Sequence, residues 1–533
     1  MEFKTEIAVI GGGLGGVAAA LAAASAGRQV MLTEDSDWLG GQLTSQAVPP
    51  DEHPWIEQFG CTARYRALRD GLRAYYRRAY PLAVTARSDR YLNPGLGTVS
   101  ALCVEPRAGV AVIEEMLAAM RSSGRLGVLM GHRPVAATVD GEQVTSVTLE
   151  RADGEQVTIA AQYVLDATET GELLPLASVE HITGSESRDQ TGEPHAPDSA
   201  QPLNMQAVSW CFAIEHLDGQ DHTISRPAAY DFWRAHEPSN WVGPLLSFSA
   251  PVPRTLSPLT RTFTPNPTDA TAIVDHRTIG GDYELWSFRR IAARETFEPG
   301  YLASDITLVN WPMIDYFEGP VYGESADQAA KHLDGARQLS LSFLYWLQTE
   351  APRPDGGTGY PGLRLRADVV GTDDGLAKRP YIRESRRIVA QHTVVEQDIA
   401  VAGSGERGPA RAPDSVGVGS YRIDLHPSTG GESYIDIAAR PFEIPLRALV
   451  PVRLENLLPA AKNVGTTHIT NGCYRLHPVE WNLGEVAGEL AAFCLANRCT
   501  PRQVTATPNL VERFRARLAD AGVELHWPDV VAY

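Results

Sequence analysis

TEIAVIGGGLGGVAAALAAASAGRQVMLTEDSDWLGGQL, residues 5–43, decides how this chain of 533 residues is read. Residues 7–10 are an apolar run of strand length, met at once by Gly11, Gly13 and Gly16 in G-x-G-x-x-G spacing. Residues 18–26 are almost pure alanine, the best helix former, and Gly27 stands where a C-cap belongs. A second mainly apolar run, 29–32, leads into Thr33, Glu34 and Asp35. The order is strand, tight turn, helix, strand, acid, and each part has a physical job. Gly11 permits the sharp turn, Gly13 lets the backbone approach a pyrophosphate, and Gly16 lets the helix pack closely on the sheet. The helix opens at Leu14 and Gly15, where unpaired N–H groups and a partial positive charge face the phosphates. Glu34, eighteen residues after Gly16, is placed to accept the hydroxyls of an adenosine ribose.

The same stretch imitates a signal peptide, because residues 7–26 are mostly apolar and end in Ala24-Ser25-Ala26. Glu2 and Glu6 leave the leading segment without net positive charge, and five glycines interrupt the apolar run. A membrane span fails too, since glycine-rich turns cannot satisfy their backbone in lipid. The cytoplasm is the expected compartment.

After Glu34 the chain reads Asp35-Ser36-Asp37-Trp38-Leu39-Gly40-Gly41-Gln42-Leu43. Here it resembles the FAD-dependent oxidoreductases of the glutathione-reductase-like fold, the type with two dinucleotide-binding domains. In those proteins a glycine pair after the ribose-binding acid lets the loop run against the cofactor. The resemblance implies FAD rather than NAD, with Gly40, Gly41 and Gln42 touching it, and an acid at Glu34 argues against a 2′-phosphate. Cys103-Val104-Glu105-Pro106 resembles a recurrent segment of the family, and residues 381–388, YIRESRRI, resemble one from a bacterial branch. Arginines there, Arg383 first, suit a carboxylate or carbonyl oxygen.

A net charge of −18 makes nucleic acid and anionic membranes poor partners. Six cysteines without a C-x-x-C pair give neither a disulfide framework nor a zinc site, and no metal is expected. Cys494 and Cys499 have redox-disulfide spacing but fall at the end of a C-terminal helix pattern, so they read as two unrelated cysteines. Four lysines against 43 arginines fit a GC-rich bacterial genome.

Along the chain, residues 64–78 place Arg64, Leu68, Leu72 and Tyr75 at helical spacing, an amphipathic helix with a solvated arginine face. Residues 107–121 read as a second helix with one apolar face. Residues 128–139, 143–151 and 156–160 are three strand-like runs joined at Asp140-Gly141 and Asp153-Gly154, the sequence of a meander. Residues 163–168 form a further strand ending in Ala167-Thr168, with Gly171 beyond; in the resembled family this strand returns beside the FAD. The resemblance also implies cofactor contacts at Pro134, Val135, Ala167, Thr168 and Gly171. From about 176 to 441 periodicity fades. Residues 201–214, 306–310 and 367–371 suit strands, and 325–350 is a long helix. Two more G-x-G-x-x-G matches, Gly357/Gly359/Gly362 and Gly403/Gly405/Gly408, lie among prolines and read as turn-rich loops.

Residues 456–488 form a second anchor. In the resembled family this order is a strand, a loop over the flavin ring, and a helix aimed at the ring's pyrimidine edge. Pro478 suits the first helical turn, and Gly484 and Gly488 permit close packing. The helix end suits negative charge at flavin N1 and C2=O. Asn471, His477, Asn482 and Leu483 are the implied cofactor contacts. His477 is the first candidate proton acceptor, with His468 second, and Tyr474 and Arg475 are placed to orient a substrate.

The expected architecture is α/β: a Rossmann-like FAD-binding domain with a β-meander plus an inserted α+β substrate domain. Its parts are residues 1–45, 96–176 and 442–533 for the FAD domain, 46–95 for a helical aromatic insertion, and 177–441 for the substrate domain. The expected function is oxidation of a small organic substrate by hydride transfer to flavin N5, with dioxygen or another acceptor taking the electrons. An NAD(P)H-dependent monooxygenase or reductase is the alternative. Oligomeric state stays open.

Overall fold

The computed structural model describes residues 1–268, 283–402 and 405–532. Its organising layer is one sheet built from β1 (Glu2–Ile10), β2 (Val30–Glu34), β3 (Leu126–Met130), β4 (Arg133–Asp140), β5 (Gln143–Glu150) and β6 (Gln156–Asp166). The order is β3-β2-β1-β6-β5-β4, with the strand Leu457–Pro459 also on β6. β3, β2, β1 and β6 run parallel, as does Leu457–Pro459, whereas β4, β5 and β6 are antiparallel. Parallel strands need crossovers, and α1 (Leu14–Ser25) supplies the first.

That helix is alanine-rich for a packing reason. It crosses the C-terminal helix His477–Asn497 backbone to backbone: a Cβ at Gly484 would lie 1.9 Å from Gly15 O, and one at Gly488 2.3 Å from Ala19 O. Nearly all of both helices is buried, so neither needs a polar face.

Several local expectations are corrected. The run 128–139 is two strands: β3 ends on β2, Gly131 turns at φ +73°, and β4 starts the meander. Conversely, 156–160 and 163–168 are one eleven-residue strand, β6. Its first half pairs with β5 and its last with Leu457–Pro459, so the meander and the parallel layer share a sheet. Residues 367–371 form a helical turn, Ala367–Val370, closed by left-handed Gly371, not a strand. The run 201–214 contributes only Val208–Ser209 and the start of Phe212–His216.

The helix α2 (Ala63–Ala79) forms as read, capped by the Thr62 hydroxyl, but its arginine face is not all solvated. Arg69 and Arg73 are buried on Glu52 and Glu57, so these arginines are structural. The long helix Ala326–Thr349, capped by Ser325, packs against the short helix Tyr230–Ala235, the turn Pro312–Ile314 and the strand pair Val208–Ser209 and Asp315–Tyr316, and a separate four-stranded antiparallel sheet includes Phe212–His216, Ile306–Val309 and Leu363–Leu365. Gly359 turns ahead of the last of these, while Gly403 lies outside the described residues. Among the described residues no helix is long and apolar enough to cross a membrane.

Candidate functional site

At the C-terminal ends of β1, β2 and β6 the sheet opens into a cavity of about 280 Å³. Gly11, Gly13, Glu34, Asp35, Gly41, Pro134, Ala167 and Thr168 line it, joined by His132, Glu169 and Gln46. Gly11 leaves β1 at φ +102°, and a Cβ there would sit 2.3 Å from Ala167 O. Gly13 caps α1 without a side chain over the helix end. Gly15 and Gly16 serve packing: their Cβ positions fall 1.9 Å from Ala460 O and from Gly11 O. Gly40 is left-handed, and Leu14 is buried at the helix start. Glu34 accepts from the Gly12 N–H at 2.9 Å and from the Ser36 N–H at 3.0 Å. Burial, then the Asp35 charge, pushes the Glu34 carboxyl well above its usual range.

Where β6 ends, Asp166 accepts from the Thr168 N–H and hydroxyl, and burial raises its carboxyl to about 6. Gly171 takes φ +64°, with Arg386 O 3.0 Å from its Cβ position. Val135 is half-buried in β4, beyond the cavity wall.

One cluster was not singled out from sequence. Lys462 is buried and donates to Glu169 at 2.5 Å and to Glu480 at 3.3 Å. Glu480 accepts from the Gly15 N–H at 3.3 Å and from Gln42 Nε2 at 2.6 Å. Glu169 Oε1 lies 2.8 Å from the Gly13 Cβ position. A lysine and two carboxylates therefore sit against the glycine loop and the start of α1. Burial raises the Glu480 carboxyl, and Lys462 opposes that shift.

The C-terminal helix begins with His477, whose two ring nitrogens are both engaged. Nδ1 accepts from the Asp51 N–H at 3.1 Å, so Nε2 carries the proton and donates to Val48 O at 3.2 Å. Burial lowers its pKa to about 4, keeping the ring neutral. His468 is buried elsewhere, its Nδ1 2.9 Å from Glu384. Burial disfavours its charge, but the Glu384 carboxylate outweighs this and raises its pKa. Tyr474 stacks on Phe442 at 4.5 Å. Asn471 accepts from Gln206, Asn482 donates to Val416 O, and Leu483 is core. None of these four lines the cavity.

Arg383 and Arg475 meet in a closed polar ring. The Tyr381 hydroxyl accepts from Arg475 Nη1 at 2.8 Å, and Arg475 Nη2 reaches Asp424 at 3.1 Å. Asp424 lies 3.8 Å from His426 Nε2, and His426 Nδ1 is 2.5 Å from Asp315. Asp315 accepts from Arg383 at 3.0 Å, and the Arg383 guanidinium lies 4.8 Å over the Tyr381 ring. Burial favours a protonated Asp315, but Arg383 and His426 outweigh it and hold the carboxyl at about 2. Burial and Arg383 lower the His426 pKa. The extended segment 379–383 links the two regions: Pro380 and Ile382 line the cavity, whereas Tyr381 and Arg383 belong to the ring. Sequence reading missed Asp315, Asp424 and His426, which no local motif marks.

A search of curated proteins returns no match. A family profile described as "FAD dependent oxidoreductase" matches residues 6–518. Among solved structures, the L-proline dehydrogenase from P. horikoshii is 18% identical over 34% of this chain, with a TM-score of 0.19. The matched part spans 24% of that dehydrogenase, about a quarter of its length. The flavin-dependent monooxygenase PieE, in complex with FAD and substrate, is 15% identical over 40% of this chain and 35% of its own, with a TM-score of 0.26. A geranylgeranyl bacteriochlorophyll reductase-like protein from Thermoplasma acidophilum is 9% identical over 99% of this chain and 86% of its own, with a TM-score of 0.31.

The residues fit the cofactor that the profile names. The loop at Gly11 and Gly13 has no side chain to block a pyrophosphate, and Glu34 stands at the end of β2 for a ribose. Gln46 Nε2 and Glu169 Oε1, both in the cavity wall, are buried without a partner.

Proposed function

We propose, from the premise that this chain belongs to the FAD dependent oxidoreductase family, that it oxidises a small organic substrate by two-electron transfer to its cofactor, FAD. When bound, FAD supplies a hydride acceptor at flavin N5. The chain's own residues bind, orient and handle the proton. The observation that carries this reading is the two-faced segment 379–383, with a cofactor cavity on Pro380 and Ile382 and a buried polar ring on Tyr381 and Arg383. A wall one residue thick suits a substrate held within reach of a ring system in the cavity.

Within that reading Gly11, Gly13, Gly41, Glu34, Asp35, Pro134, Ala167 and Thr168 hold the cofactor, and Lys462 offsets charge beside the glycine loop. Tyr381, Arg383 and Arg475 hold the substrate. His426 accepts the substrate proton at Nε2, because Asp315 holds its Nδ1 side and no partner lies within 3.5 Å of Nε2 among the described residues. His477, occupied at both nitrogens, positions the 48–51 loop on the helix start. Dioxygen or another small acceptor then takes the electrons. A glutathione-reductase-like subtype, a cytoplasmic location and the division into an FAD domain and an inserted domain at 177–441 belong to the same proposal.

Anaerobic mixing of the FAD-loaded protein with NADH, NADPH and a panel of small alcohols, amines and acids tests it. Bleaching of the flavin by a panel member and indifference to both nicotinamides is the expected result. Rapid bleaching by NADH or NADPH would replace it with a monooxygenase or reductase.

A further inference from the structure

The oxidised molecule itself leaves a trace in the arrangement of the arginines. We infer that the substrate is an organic carboxylate, received by Arg289 together with Arg475 and Tyr381; this rests on the oxidoreductase reading above. Arg289 lies just before the strand Arg290–Ala292, with 11% of its side chain exposed. Its Nε and Nη1 are buried, and neither has a hydrogen-bond partner. The nearest carboxylate, Asp51, stands 3.6 Å from Nη1, which supplies counter-charge but no hydrogen bond.

Other buried arginines in this chain show what saturation looks like. Arg69 makes four hydrogen bonds to Glu52 and Glu57, and Arg387 is held by Glu384, Glu186 and three carbonyls. A buried guanidinium with two empty donors is costly to keep unless an acceptor arrives from outside the chain. Arg475 Nε and Arg383 Nε are buried and unpartnered as well. Two of these arginines contact one residue, Arg475 donating to the Tyr381 hydroxyl and Arg383 lying over its ring, and the buried Arg289 is within electrostatic reach of it. Because that hydroxyl accepts from Arg475, its own proton is directed elsewhere, a further donor. Asp424, Asp315 and Asp51 supply a counter-charge to each arginine, yet the Nε donors of all three and Nη1 of Arg289 stay unused, and the site adjoins the Asp51–His477 contact at the helix start. A carboxylate satisfies this set through charge-assisted hydrogen bonds. A carbonyl brings acceptor oxygen without charge, and the test separates the two.

The FAD-loaded protein is titrated with benzoate against benzamide, and with acetate against acetamide, following the flavin absorbance and the melting temperature. The carboxylates are expected to perturb the bound flavin and raise the melting temperature, the amides to do neither. Arg289→Gln is expected to weaken benzoate at least tenfold and Arg289→Lys by less, with FAD content unchanged. Should Arg289→Gln fail to fold, Tyr381→Phe reads the same site, with a several-fold loss expected. Amides binding as well as carboxylates, or either variant binding benzoate like wild type, would overturn the inference. Photoreduction of the flavin is scored separately: a protein without reducible flavin fails the oxidoreductase reading, whereas a reducible flavin indifferent to carboxylates fails only this one.

Discussion

Lys462→Met removes the cation shared by Glu169 and Glu480 and leaves a void of charge beside the glycine loop. Lys462 and Glu480 have side chains 1% and 0% exposed, so Glu480 has no route to water, whereas Glu169 keeps 25% of its side chain exposed and can rehydrate. Breaking a buried ion pair by removing one partner costs about 3–5 kcal/mol. At about 2.1 cal/mol/K per residue, this chain unfolds with roughly 1.1 kcal/mol/K, so the midpoint falls by about 3–5 °C. The loss also has a pH signature. Burial already raises the Glu480 carboxyl above its ordinary value, and Lys462 is what opposes that shift. Without the lysine the folded-state pKa climbs further above the unfolded one. Over the window between them the folded state binds more protons, so stability falls as pH rises. The variant is therefore closest to wild type near pH 5 and furthest below it near pH 8. Differential scanning fluorimetry in excess FAD, reported as the difference from wild type at each pH, measures both effects. Adding Glu480→Gln to Lys462→Met should recover most of the deficit. A variant melting with wild type at every pH, or one whose deficit grows toward acid, would refute the reasoning.

Gly484→Ala places a Cβ 1.9 Å from Gly15 O where the two buried helices cross; the crossing must open, and the holoenzyme should melt several degrees lower with weaker FAD retention in dialysis. Glu34→Gln keeps the size but puts an amide donor where a carboxyl oxygen would accept from the ribose hydroxyls, so FAD affinity, read by flavin fluorescence quenching, should drop by about 1–3 kcal/mol, or some 5- to 150-fold. His477 has a folded pKa near 4 against 6.5 unfolded. Acidification from 6.5 toward 4 thus protonates the unfolded state first and removes about 3 kcal/mol of stability; His477→Asn should flatten that part of the stability–pH curve.

The glycine-loop wall of the cavity was legible because its parts are close in sequence. Gly11, Gly13, Glu34 and Asp35 lie on one strand–turn–helix–strand unit, and local sterics dictate their conformation. The long helix at Ala326–Thr349 was legible for a similar reason, a sustained period and a serine cap. What escaped is held together by tertiary contacts alone. Asp315, Asp424 and His426 come from segments without periodicity, and only the fold closes them into a ring with Tyr381, Arg383 and Arg475. Lys462 stood inside a motif already singled out, yet its role depends on Glu169, 293 residues earlier, which follows the neighbouring strand β6. The arginines of α2 looked like a solvated face because a helical pattern cannot show that Glu52 and Glu57 fold back over it. The break at Gly131 was hidden because strand propensity runs straight through it, while pairing partners change there. The turn at Ala367–Val370 was misread because so short a run, three apolar residues and Asp368, fits either period.

The most direct test of the central claim is the visible spectrum of the purified protein, with the chromophore released by denaturation and identified chromatographically. The account predicts a yellow protein holding one FAD per chain, and a Gly13→Val variant that purifies colourless because a side chain fills the pyrophosphate cradle. A colourless wild-type protein that takes up no FAD on reconstitution, or a Gly13→Val variant as yellow as wild type, would contradict it.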